Sequence, residues 1–70
     1  MIAKLRKLGT LTKDGYADVS VHCKKGEFLG YSVYNQGYVG HVHSYLETYK
    51  ELINDLDKRI EFMEKLQKGA

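Results

Sequence analysis

Histidine, cysteine and tyrosine are the side chains of this chain best placed to hold a metal, attack a bond or stack on a ring. They crowd into "YSVYNQGYVGHVHS" at 31–44, with three tyrosines, two histidines and two glycines. His41 and His43 are two residues apart, so an extended backbone puts both imidazoles on one face. Zinc needs three or four ligands, usually with tight Cys/His spacing. The only other candidates are His22 and Cys23. The strand register derived below sets His22 on the opposite face, and Cys23 lies too far along its own strand. No metal and no cofactor are expected, and His41 and His43 read as half-buried residues where a sheet meets a helix.

Catalysis has little to stand on. Glu47, Glu51, Asp55, Asp57, Glu61 and Glu64 alternate with Lys50, Lys58, Arg59 and Lys65, the pattern of a solvated, ion-paired helix face. No paired carboxylates converge, and each glycine that might cradle a phosphate ends a turn instead. Cys23 is the only cysteine, which excludes an internal disulfide. It reads as a small buried hydrophobe. The expectation is a protein that is not an enzyme.

With 70 residues the chain makes one domain, 1–70, able to bury only about 60% of the surface its unfolded form exposes. Net charge is +2 and the isoelectric point about 8.7. Residues 1–43 carry six Lys/Arg against three Asp/Glu, and residues 44–70 carry five against six. Lys13, Lys24 and Lys25 are candidate anion contacts, although lysines at turns are more often simply solvated. The opening "MIAKLRKLGTLT" lacks the apolar core of a signal peptide, and no run approaches about 18 apolar residues. A cytoplasmic protein that avoids membranes is expected.

The elements that would position these residues show in the glycine spacing. "KDG" at 13–15, "KKG" at 24–26 and "NQG" at 35–37 recur every eleven residues, as in an antiparallel meander. Three-residue loops put glycine in the left-handed region. A loop at 24–26 pairs Cys23 with Glu27, Val21 with Leu29, Val19 with Tyr31 and Ala17 with Val33. A loop at 35–37 pairs Val33 with Val39 and Tyr31 with His41. Strand one falls around Leu5 to Thr12, giving a sheet over about 5–43. From Ser44 the period becomes helical: "SYLE" is a capping box, and Leu46, Tyr49, Ile53, Leu56, Ile60 and Met63 repeat at three and four. A helix is expected over about 45–68. The fold class is therefore α+β, a three- to four-stranded antiparallel β-meander followed by one long C-terminal α-helix packed on one sheet face. This layout resembles the small sheet-plus-helix domains that some phage-type integrases use on DNA, without a shared motif.

Two surfaces follow. The outward sheet face is the candidate partner-binding surface, with Tyr16, Phe28, Gly30, Tyr34, Tyr38 and Gly40 on it. Its aromatics have no second layer to pack on, and its glycines expose backbone to close approach. The helix outruns the sheet, so Leu56, Ile60, Phe62, Met63 and Leu66 are expected to pair with a second copy in a homodimer. The functional expectation is a small non-enzymatic regulator or inhibitor of phage or mobile-element type that binds a host or element-encoded protein. The alternative is a module for single- or double-stranded nucleic acid, stacking bases on the outer face with basic loops nearby. An isoelectric point below 9 and Asp18 on that face favour a protein partner.

Overall fold

The structure, a computed structural model, describes residues 1–38 and 45–69. Its elements are α1 (Ile2–Thr10), β1 (Ala17–Lys24), β2 (Glu27–Asn35) and α2 (Tyr49–Gly69). The layout is α+β, with two antiparallel strands and a C-terminal helix.

The expected first strand over Leu5 to Thr12 is instead the end of a helix and a turn. Ile2, Leu5 and Leu8 recur at three-residue intervals, which places them along one side of α1. Leu8 is fully buried. Gly9 is also buried, because a side chain there would press on the Gly15 carbonyl at 3.3 Å. The turn that follows is tied by Thr12, whose hydroxyl lies 2.9 Å from the Gly9 carbonyl and accepts the Tyr16 amide at 3.0 Å.

The two strands form a hairpin with Val19 opposite Val33, Val21 opposite Tyr31 and His22 opposite Gly30. Its loop has two residues, not three: Lys25 and Gly26 both have positive φ, 53° and 79°. That is the primed geometry favoured by strand twist. The pairing then slips between His22 and Cys23, leaving Leu29 as an extra residue, a β-bulge. Only these two strands are seen among the described residues. The expected pair Val33–Val39 lies outside them, and Tyr31, expected opposite His41, gives its amide and carbonyl to Leu46 instead. Gly37 does have positive φ, at 93°, as its place at the end of "NQG" requires.

Helix α2 begins four residues later than expected. Thr48 accepts the Glu51 amide at 3.1 Å, and the Glu51 carboxylate accepts the Glu47 amide at 2.9 Å. This reciprocal cap belongs to "TYKE"; Ser44 of "SYLE" lies outside the described residues. Before the cap the chain is extended, and Leu46 exchanges both backbone hydrogen bonds with Tyr31, at 2.8 and 3.0 Å.

The core consists of Leu8, Leu52, Leu56, Ile60 and Met63, with Leu5, Leu11, Val19, Tyr31, Val33 and Leu46 packed against it. Helix α1 covers the C-terminal half of α2. Lys4 pairs with Asp57, Lys7 with Glu64, and Gln67 donates to the Leu11 carbonyl. These partners ascend together, so the helices run in the same direction.

Candidate functional site: the outer face of the hairpin

Alternation along β1 and β2 sends Val19, Val21, Tyr31 and Val33 toward the helices, leaving Asp18, Ser20, His22, Gly30, Ser32 and Tyr34 on the other side. Tyr16 lies beside Tyr34, with ring centroids 6.2 Å apart, and its hydroxyl donates to Asp18 at 2.8 Å. That hydrogen bond, reinforced by the Asp18 charge, raises the Tyr16 pKa above the usual tyrosine value. Farther along, His22 makes a 2.7 Å hydrogen bond with the Ser32 hydroxyl, and its ring lies 4.7 Å from that of Tyr45. Tyr16, Tyr34 and Tyr45 are 52%, 53% and 45% exposed. The face is thus aromatic and hydroxylated, with the Asp18 carboxylate toward one end and Lys24, opposite Glu27, toward the other.

Several expected members of this face lie elsewhere. The bulge turns Phe28 to the helix side, where it meets Tyr31 edge-on at 5.2 Å. Tyr38 has left the sheet, lying 4.5 Å over the Arg59 guanidinium and edge-on to Phe62. Gly30 is not bare backbone, because the chain's own Tyr45 fills the space. A Cβ at Gly30 would come within 2.5 Å of the Tyr45 Cβ and 2.8 Å of the Leu46 carbonyl. Gly40, His41 and His43 lie outside the described residues. Cys23, expected to be buried, is exposed. Lys13 sits in the turn after α1, and Lys24 and Lys25 lie at the hairpin tip.

Of the residues expected to join two copies, Leu56, Ile60 and Met63 are buried in the chain's own core. The reason is α1, which covers the half of α2 that a sheet could not reach. Phe62 and Leu66 alone of that set stay exposed.

A buried polar knot was not foreseen. Arg59, read as part of a solvated face, is 5% exposed. Its Nε donates to Asp55 at 2.6 Å and its Nη1 to the buried Asn35 side chain at 2.8 Å. Tyr38 closes the guanidinium from above. Leu52, Leu56, Arg59 and Met63 follow the three-four rhythm, so the phase of Arg59 was the available signal. The knot is saturated and fastens the end of β2 to α2.

Among the described residues no group of three or more metal-ligating side chains converges, and no helix is long and apolar enough to cross a membrane. No protein-family model matches the chain, and no curated protein or solved structure matches it.

Proposed function

We propose that the outer face of the hairpin is a docking surface for another protein, and that the chain acts in the cytoplasm as a non-enzymatic binding regulator or inhibitor. The observation that supports this is the set Tyr16, Tyr34 and Tyr45, three half-exposed tyrosines on one sheet face that no helix covers. Tyrosines provide apolar contact area with a polar tip and lose little conformational freedom on binding, which is why they dominate binding hot spots. A polyanion is a poorer fit. Asp18, one of two carboxylates on the described face together with Glu27, lies beside the Tyr16–Tyr34 pair, where a stacked base would bring its phosphate. The chain's target is a host or element-encoded protein.

The test pairs two measurements on the same variants. A partner recovered with the wild-type chain should bind Y16A and Y34A more weakly, by about 2 kcal/mol for a residue at the centre of the contact. A change at exposed Glu61, remote in sequence from the hairpin, should leave binding intact. Mixed-sequence single strands should show no binding at low salt. Strand binding that falls steeply with salt and disappears in Y34A would replace this reading with the nucleic-acid one.

A further inference from the structure

Among the described residues one edge of β1 is free, and its sequence is complementary to itself. Tyr31 spends both its amide and its carbonyl on Leu46, on the side of β2 away from β1. Val21–Tyr31 is therefore a pair that exchanges no backbone hydrogen bonds. The bonds of the hairpin run through Asp18, Ser20 and His22 to Tyr34, Ser32 and Gly30. By the same alternation, the amides and carbonyls of Val19, Val21 and Cys23 point out of the sheet along the open edge. Among the described residues, none of Ala17–Lys24 makes a backbone hydrogen bond beyond the β1–β2 ladder. The usual edge protections are weak here. The chain has no proline, the bulge lies on β2, and the charges of β1 sit near its ends.

We infer that β1 pairs antiparallel with β1 of a second copy, about a two-fold axis at Val21, joining two hairpins into one four-stranded sheet. Of the two-fold registers, the one centred on Val21 sets Asp18 opposite Lys24 of the other copy. The symmetry makes that ion pair twice. Ser20 falls opposite His22, a hydroxyl beside an imidazole. On the helix side Val21 meets Val21, and Val19 meets the exposed Cys23. The backbone geometry fits the same register. Val21–Val21 and Val19–Cys23 are the pairs whose amides and carbonyls face the partner. Asp18–Lys24 and Ser20–His22 are the closer, non-bonded pairs, where side chains touch best. Val21, 62% exposed in the single chain, gains a neighbour it lacks.

This inference does not rest on the tyrosine-face reading, and the two surfaces do not compete. An axis perpendicular to the sheet leaves both outer faces on the same side. The pair would present two sets of Tyr16, Tyr34 and Tyr45 to one partner or to two.

Charge reversal tests it. Sedimentation equilibrium at about 100 µM should find the wild type dimeric, with a melting temperature that rises with concentration. D18K and K24D each place like charges opposite each other twice and should weaken the dimer about ten-fold or more. The double variant D18K/K24D restores opposite charges and should recover wild-type assembly. D18K alone and the double variant both lose the Tyr16 hydrogen bond, so that loss cannot explain the rescue. A wild type that remains monomeric overturns the proposal. So does a dimer that ignores the single reversals, since it would be held elsewhere, as at Phe62 and Leu66. Should a reversal fail to fold by circular dichroism, V21C in a C23S background decides. Mild oxidation should cross-link it into dimers across the axis, and no cross-link at a concentration where C23S is folded also overturns the proposal.

Discussion

The two ends of the one hairpin have opposite fates. At the Ala17–Asn35 end the inner side of the strands is packed: Ala17, Val19 and Val33 lie against the core, and the buried Asn35 is fastened to Arg59. At the Cys23–Phe28 end the same two strands project past the helices, with Val21, Cys23 and Phe28 exposed on what would be the core side. Nothing in local composition predicts the difference, since both ends alternate apolar and polar residues. Helix α1 accounts for it, because it lies against β1 and the C-terminal half of α2 and so builds the core at one end. Stability is concentrated where the chain covers itself, and surface for partners is left where it does not.

The sharpest way to break this contrast is a truncation at each end. Leu8→Ala removes the fully buried leucine that α1 contributes and should cost about 2–5 kcal/mol in urea unfolding. Val21→Ala, a slightly smaller apolar deletion on the helix-facing side of the hairpin, should cost about 0.5 kcal/mol or less in the isolated chain. Equal losses at the two positions would mean that the projecting end is packed as tightly as the core, against the 62% exposure of Val21.

Next in size is the polar knot. Arg59→Met keeps the volume but strands the Asp55 carboxylate and the Asn35 amide, which should cost about 3 kcal/mol. Native-state hydrogen exchange should then show the amides of Tyr34 and Ser32 losing protection before those of α2. A neutral result would mean that the methionine packs well enough to make the knot dispensable.

How much of this was legible in the sequence depends on which residues are asked. Beyond the bulge the expected faces of β1 and β2 match the structure although the expected pairing does not. A loop one residue shorter and a bulge one residue wide shift the register by two in all, and a two-residue shift preserves the faces. The bulge was invisible in composition, and it carried Phe28 to the other side. The first helix was missed because "LRKLGTLT" ends in β-branched residues and glycine, which hid the three-residue spacing of its leucines. Missing α1 left the end of α2 uncovered on paper and invited a second copy to bury Ile60 and Met63. Of the candidate face, Tyr16 and Tyr34 lie side by side and half-exposed on the outer side of the hairpin. Tyr45 was assigned to the helix, because nothing in its neighbourhood shows that the chain first crosses beside Tyr31.

That crossing gives a third prediction. Gly30 has φ 144°, and any side chain there collides with Tyr45 and the Leu46 backbone. Gly30→Ala should cost about 2 kcal/mol and detach Tyr45 from His22, breaking the outer face without touching the core. The His22 ring resonances should lose their aromatic ring-current shift in the variant. If they do not move, Tyr45 is not held on the face by the crossing, and the set of three tyrosines reduces to two.

The smallest effect belongs to Tyr16, and it tells whether the aromatic pair carries a charge within it. Its pKa stands above the usual 10.0, chiefly through the hydrogen bond to Asp18 and then through that carboxylate's charge. A raised folded-state value means the folded chain favours the neutral phenol. The stabilisation is fully present below the ordinary tyrosine value and is lost as pH rises through the folded one. Asp18→Asn weakens the hydrogen bond and removes the charge, so an NMR titration of the Tyr16 ring should move its midpoint downward. Because Tyr16 is solvent-exposed, the shift should shrink in high salt insofar as the charge contributes and persist insofar as the hydrogen bond does. A midpoint indifferent to Asp18→Asn would mean that the carboxylate turns away into solvent, leaving the Tyr16–Tyr34 surface neutral and open to an anionic partner after all.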